Sequence, residues 1–158
     1  MLLAITIPLG LDLYLPVPEA NPLTAEKIEQ GRRLFFDRRL SHDSSTACSS
    51  CHDPDRAFSD VRSVAVGVFN RKGRRNSPAL INRGYGRLFF WDGRATTLEE
   101  QVLKPIEDPN EMDLTLAEAS ARVGLSREDK ARALASFVRS ILSEIHRSTA
   151  TSTATAPH

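Results

Sequence analysis

The strongest constraint on this 158-residue chain is one short motif, Cys48-Ser49-Ser50-Cys51-His52. It contains both cysteines of the sequence, so no disulfide framework can be built elsewhere. Residues three apart on a helical turn share a face, so two thiols can reach the two vinyl groups of one porphyrin while the next imidazole lies under the metal. The motif is therefore interpreted as a covalent haem c attachment site, with Cys48 and Cys51 as thioether residues and His52 as the proximal iron ligand.

Three other interpretations compete with haem. His42 and His52 could complete a four-ligand zinc site with the two thiols, but their spacing fits no familiar zinc pattern. A thioredoxin-like dithiol needs a strand–helix–strand context, whereas the surroundings of this motif are helical and rich in loops. Chance occurrence of the spacing is the third alternative. The pattern favours haem over all three.

Charge and hydropathy limit the partners and the location. Lys and Arg total 21 against 20 Asp and Glu, a balance that argues against a nucleic-acid partner. The apolar stretch 1–15 is too short and too interrupted for a membrane span, and the first basic residue is Lys27, so no clear signal peptide is visible. Haem c is attached after export in bacteria, and the motif therefore predicts a periplasmic protein.

The sequence divides into three segments. Residues 1–23 read as an extended lead-in or the remnant of a signal, 24–143 as one haem domain, and 144–158 as a low-complexity, disordered tail. Within the domain, capping residues predict helix starts, and turn-forming residues over 54–96 predict long loops. The predicted fold is all-α, a cytochrome c-like helical domain wrapped around one covalent haem. The helix starts are predicted after Thr24, Thr97, Thr115 and Ser126.

Four stretches around the motif resemble the N-terminal domain of bacterial di-haem cytochrome c peroxidases, a superfamily that includes the methylamine-dehydrogenase maturation enzymes. They read ACSSCHDPDRAFSD (47–60), GRRNSPALIN (73–82), FFWDGRATTLEEQ (89–101) and PIEDPNEM (105–112). The resemblance extends over about residues 12–143. It implies hydrogen peroxide as substrate and a small electron-donor protein, a cytochrome c or a cupredoxin.

The resemblance also implies roles for individual residues. Trp91 matches a tryptophan placed between two haems, and Gln101 and Glu111 match polar groups of the peroxide pocket, with Glu111 as the acid–base group. Pro105 matches a proline that lines the pocket, and Asn76 matches a residue that contributes to a calcium site. The alternatives are core packing for Trp91 and solvated surface positions for Gln101 and Glu111.

Two departures from the family pattern matter for function. By spacing, Val68 stands where many members carry a distal histidine ligand, and no histidine occurs between His52 and His146. A second CxxCH motif is absent, so the sequence reads as truncated before a second haem domain. The resemblance predicts a peroxidase. The alternatives are a mono-haem electron carrier with Met112 as sixth ligand, and an inactive fragment.

Overall fold

The computed structural model describes residues 7–8 and 10–143. The predicted tail, 144–158, and part of the lead-in lie outside the described residues. Within the described part the chain is helical, with isolated bridges but no β-strand, in agreement with the all-α prediction. Its α-helices are α1 (Ala25–Phe35), α2 (Leu98–Gln101), α3 (Lys104–Glu107), α4 (Leu116–Val123) and α5 (Arg127–Ser140).

The helices begin where their capping residues predict. The side chains of Thr24, Thr97, Thr115 and Ser126 each accept a hydrogen bond from the backbone amide three residues further on. The helix-breaking Pro105 predicts that the helix after Thr97 ends near that residue, but α2 ends earlier, at Gln101. Pro105 instead lies in the first turn of α3, where its missing amide hydrogen costs no helical hydrogen bond.

The core forms where α1 packs along α5. Gly31 explains the close approach of the two helices, since a Cβ at this position would collide with the backbone carbonyl of Ala133. Next to this contact, the rings of Phe35 and Phe137 lie 5.1 Å apart, and Phe58 from the following loop packs edge-on against both at 6.0 and 6.3 Å. The aromatic group therefore fixes the loop that follows the CxxCH motif onto the α1–α5 core.

The long connection from 41 to 97 has little regular structure of its own. It contains four short 3₁₀ turns and three isolated antiparallel bridges, which fold it over the helical core. Between this connection and the helices lies a large cavity. The 3₁₀ turns of the connection are Cys48–Ser50, Pro54–Arg56, Val68–Asn70 and Arg83–Tyr85.

Within the described residues, no helix is long and apolar enough to cross a membrane.

Candidate haem site

The CxxCH motif opens onto a cavity of about 590 Å³. A pocket of this size is in the range that proteins use for small molecules and cofactors. Cys48, Cys51 and His52 all line it. Other parts of the cavity wall come from the loops and from α2 and α5. Its apolar side chains include Leu80, Phe89, Leu98, Val102, Leu134 and Val138.

The motif adopts the turn that its spacing predicts. The backbone amides of Cys51 and His52 both donate to the carbonyl of Cys48, at 3.2 and 3.0 Å. The two thiols are not joined in a disulfide. Burial raises the pKa of Cys48 to about 12 and also raises the pKa of Cys51. Both cysteines therefore line the cavity as neutral thiols.

The imidazole of His52 is oriented by a backbone carbonyl. Its Nδ1 lies 3.2 Å from the carbonyl oxygen of Phe58, which can only accept, so Nδ1 carries the proton and Nε2 is left for a metal. Burial lowers the pKa of His52, which favours the neutral form that binds iron. Ala57 and Phe58 both have left-handed backbone conformations, with φ of 57° and 53°. Phe58 packs against α1 and α5, and this packing holds its carbonyl on the imidazole.

These features fit the haem c that the motif predicts. Two half-buried cysteines three residues apart, an oriented imidazole and an adjoining apolar cavity are the donor set and the space that this group needs. The described residues contain no group of three or more His, Cys, Asp or Glu that could hold a metal ion. The zinc alternative finds no support in this geometry.

The polar residues predicted for the peroxide pocket lie in the same cavity. Gln101 reaches it from the last turn of α2, and Glu111 and Met112 reach it from the loop between α3 and α4. Burial raises the pKa of Glu111, helped by the charge of Asp108 and opposed by that of Arg94. Gln101 and Glu111 are therefore cavity residues rather than solvated surface groups. Pro105 also lines the cavity, as the resemblance implies.

Trp91 lies at the rim of the cavity. Its side chain is 64% exposed, and its indole Nε1 donates to the backbone carbonyl of Asn76 at 3.1 Å. An exposed tryptophan does not contribute to a core, so the core-packing alternative is wrong. The ring is fixed at a position where it can contact both the cavity and whatever adjoins this surface.

Asn76 forms hydrogen bonds within the chain. Its side-chain amide donates to the carbonyl oxygens of Asp60 and Arg62, at 3.1 and 2.6 Å. These bonds tie the loop that carries Asn76 to the loop after the motif. The assignment of Asn76 to a calcium site stays a prediction.

Val68 is buried and does not line the cavity. Its neighbour Gly67 lines the cavity instead, and the amide of Val68 donates to the carbonyl of Glu111 at 2.8 Å. The Val68 side chain, at the position where the spacing predicts a histidine in other members, therefore contributes to packing. Within the described residues, His52 is the one histidine that lines this cavity.

Two contacts of the site have no clear sequence signal. The acceptor for His52 is the backbone carbonyl of Phe58, and a backbone group leaves no mark in the residue pattern. Arg62 donates to the carbonyl of Ser50 at 3.0 Å and lies 3.9 Å from the sulfur of Cys51, while it is paired with Asp60 at 2.7 Å. In the sequence, the spacing of Asp60 and Arg62 could have indicated their ion pair, but not the contacts of Arg62 with Ser50 and Cys51.

Comparison with known proteins identifies the family of this chain. Residues 25–155 match the profile of the family described as di-haem cytochrome c peroxidase. Methylamine utilization protein MauG of Methylophilus methylotrophus is 37% identical over 148 residues, which cover 83% of this chain and 44% of the relative. Cytochrome c551 peroxidase of Pseudomonas aeruginosa is 38% identical over 109 residues, which cover 65% of this chain and 32% of the relative.

Two solved structures superpose on this chain over most of its length. A MauG-like protein associated with microbial copper homeostasis superposes with a TM-score of 0.72 at 32% identity, covering 87% of this chain and 47% of that one. The diheme peroxidase BthA from Burkholderia thailandensis superposes with a TM-score of 0.65 at 27% identity, covering 75% and 39%. The chain spans less than half the length of these relatives. The profile match, the identities and the shared helical fold together show that this chain belongs to the di-haem cytochrome c peroxidase family.

Proposed function

We propose that this chain is the haem c domain in which a peroxidase-type oxidoreductase reduces hydrogen peroxide to water, with electrons from a small redox protein. The observation that carries the proposal is a single cavity lined by both the CxxCH motif and the polar pair Gln101 and Glu111. One haem c is attached through Cys48 and Cys51, with His52 as its proximal ligand. Attachment of this cofactor places the protein in the periplasm.

Haem iron, when bound, supplies the redox chemistry that breaks the oxygen–oxygen bond. Glu111 supplies the proton transfer, because one proton must move from the near to the far oxygen of peroxide before water can leave. Burial raises the pKa of this carboxyl, which suits a group that both accepts and returns a proton near neutral pH. Gln101 has an amide that can orient peroxide by hydrogen bonding.

Trp91 is proposed as the route by which electrons enter the cavity. Trp91 lines the cavity, and 64% of the residue is exposed to solvent. Its ring is therefore accessible to a neighbouring redox centre at this surface. In the longer relatives the neighbour would be the second haem domain. For this chain the donor is proposed to be a cytochrome c or a cupredoxin.

The distal face of the iron is proposed to be open. Val68 is buried in packing, and the sequence offers no histidine between His52 and the end of the described residues. The haem-loaded ferric protein is therefore expected to be high-spin and to bind azide without prior reduction. A resting spectrum of purely six-coordinate, low-spin haem would contradict this expectation.

A second candidate function is electron transfer by a mono-haem cytochrome. The observation that favours it is Met112, which lines the cavity and is 3% exposed. Methionine ligation would close the distal face and raise the potential. It would also produce the weak far-red absorption band typical of methionine-ligated ferric haem, and Met112→Ala would abolish that band. Absence of the band in the intact protein would remove this candidate.

The proposal is tested on protein matured by an exported cytochrome c assembly system. The chain should retain haem through denaturing electrophoresis, and replacing both Cys48 and Cys51 with Ala should abolish the haem stain. In stopped-flow mixing with peroxide, Glu111→Gln should slow the first reaction by about 10²-fold, the usual effect of losing a positioned acid–base group. The matched control is Glu107→Gln, because Glu107 is exposed and lies outside the cavity lining. Equal rates for the two variants would refute the role of Glu111.

A further inference from the structure

The loop 66–71 lies directly against the backbone that carries Glu111. The amide of Val68 donates to the Glu111 carbonyl at 2.8 Å, and a Cβ at Gly67 would collide with the backbone of Asn110 and Glu111. The loop is closed on itself by hydrogen bonds from the Gly67 amide to the Arg71 carbonyl at 2.9 Å and from the Arg71 amide to the Val68 carbonyl at 3.1 Å. It therefore presents one fixed surface to the segment 109–113.

The side chain of Arg71 joins this loop to both sides of Glu111. Its Nη1 donates to the carbonyl of Pro109 at 2.7 Å and to Oδ2 of Asp113 at 2.8 Å. These acceptors lie two residues before and two residues after Glu111. A single guanidinium nitrogen thus spans the short segment that carries the carboxylate.

Aromatic packing holds Arg71 in this position. Its guanidinium lies 4.9 Å from the centre of the Phe69 ring, and that ring packs edge-on against His42 at 5.4 Å. Phe69 and Asn70 are both left-handed, with φ of 56° and 57°, a conformation that non-glycine residues adopt only where surrounding contacts enforce it. The strained tip of the loop turns Phe69 towards Arg71.

We propose that Arg71 is a positioning residue for the acid–base group: by bridging Pro109 and Asp113 it fixes the segment that holds Glu111 in the cavity. The inference rests on the proposed function. Arg71 does not line the cavity and touches no reacting atom, so it acts only through the placement of the Glu111 carboxylate. Placement matters because a shift of about 1 Å in a catalytic group can slow a reaction by about 10²-fold.

The test is a double-mutant cycle in the haem-loaded protein. Arg71→Gln should slow the first reaction with peroxide by about tenfold or more. If Arg71 acts through Glu111, the double variant Arg71→Gln/Glu111→Gln should react no more slowly than Glu111→Gln alone. The proposal is overturned if the double variant is slowed by the product of the two single-variant factors. It is also overturned if Arg71→Gln reacts with peroxide at the wild-type rate.

Arg39→Gln is the matched control. Arg39 also joins an aspartate, Asp37, at 2.6 Å to a backbone carbonyl far along the chain, that of Arg122 at 3.1 Å, but its hydrogen bonds do not involve the segment 109–113. This variant should leave the peroxide rate unchanged. If it slows the reaction as much as Arg71→Gln does, a general loss of stability is responsible and the positioning role is refuted.

Carbon monoxide binding to the reduced protein separates placement from structural damage, because it requires no proton transfer. Its rate constant should be the same in Arg71→Gln and wild type, while the C–O stretching band should broaden or split as Glu111 loses its fixed position. An equal slowing of carbon monoxide and peroxide reactions would overturn the proposal. If Glu111→Gln itself leaves the peroxide rate unchanged, the proposed function fails at Glu111, and this result is distinct from failure of Arg71 alone.

Discussion

Removal of the Glu99 carboxylate tests a buried ion pair behind the haem cavity. Both terminal guanidinium nitrogens of Arg139 in α5, Nη1 and Nη2, donate to Glu99 in α2, at 2.6 and 2.8 Å, and Asn21 from the N-terminal segment donates to the same carboxylate at 2.7 Å. The Arg139 side chain is 5% exposed and that of Glu99 is 23% exposed. The pair therefore joins α2, which carries Gln101, to α5, which forms part of the cavity wall.

The expected cost follows from this burial. Glu99→Ala leaves the Arg139 charge buried without its partner, and breaking a buried pair in this way typically costs about 3–5 kcal/mol. Because Glu99 is partly exposed and water can enter the space it vacates, we expect the lower end, about 3 kcal/mol. The matched control is Glu29→Ala. Glu29 accepts bonds of 2.7 and 2.9 Å from Arg32 and Arg33, but these groups are exposed, so its loss should cost much less than the loss of Glu99.

The free energy of unfolding is measured by guanidinium titration of the haem-loaded protein, with haem absorbance and far-ultraviolet circular dichroism as probes. The dependence of the unfolding free energy on guanidinium concentration should not change. The loss of stability should therefore appear as a lower midpoint of the unfolding transition. Glu99→Leu/Arg139→Met should recover most of the stability, because replacing both partners removes the unpaired charge. Equal losses in Glu99→Ala and Glu29→Ala would refute the argument from burial.

The same pair predicts a pH dependence with a definite sign. Burial alone would raise the pKa of Glu99, but the hydrogen bonds from Arg139 and Asn21 outweigh it and leave this pKa below its ordinary value. A depressed carboxyl pKa contributes stability above the unfolded value, and this contribution is lost as the pH falls through the folded value. The stability difference between wild type and Glu99→Ala should therefore shrink in acid. If the stability difference between the two proteins stays constant as the pH falls, the lowered pKa of Glu99 is contradicted.

Three further predictions concern residues around the same cavity. Because burial raises the pKa of Glu111, the peroxide rate constant should fall as the pH drops through a value above the usual carboxyl range, and stopped-flow measurements should find no such fall in Glu111→Gln. Gly67→Ala forces a methyl group against the Glu111 backbone and should cost about 1–3 kcal/mol in urea unfolding, whereas Gly73→Ala, whose Cβ would have its nearest contact at 3.4 Å, should cost little. Ser136→Ala removes a buried hydroxyl that has no hydrogen-bond partner in the described part of the chain, so thermal unfolding should show unchanged or slightly raised stability, and a loss above about 1 kcal/mol would contradict this.

Features set by short-range chemistry could be predicted from the sequence. The CxxCH turn depends only on the spacing of two thiols and one imidazole, and the structure has that turn at Cys48–Ser50. Helix starts were equally accessible, because a cap such as Thr115 with Glu118 satisfies backbone amides within four residues. The family also followed from local runs, and the profile match confirms it.

Tertiary packing determined which polar residues reach the cavity. Trp91, Gln101 and Glu111 belong to three separate segments, and neither composition nor periodicity indicates that they line one space. The same patterns allowed a core tryptophan and solvated Gln and Glu. Long-range contacts decided these cases, since exposure depends on what the rest of the chain places next to a residue.

The contacts least visible in the sequence are those made by backbone groups. The Phe58 carbonyl on His52, the Glu111 carbonyl on the Val68 amide and the Pro109 carbonyl on Arg71 each involve an acceptor that every residue type possesses. The sequence alone determines the CxxCH turn, the helix starts and the family, because these depend on side-chain identity at short spacing. Only the folded structure decides that Glu111 lies in the cavity and which backbone groups contact its segment, because backbone acceptors act through position rather than through residue type.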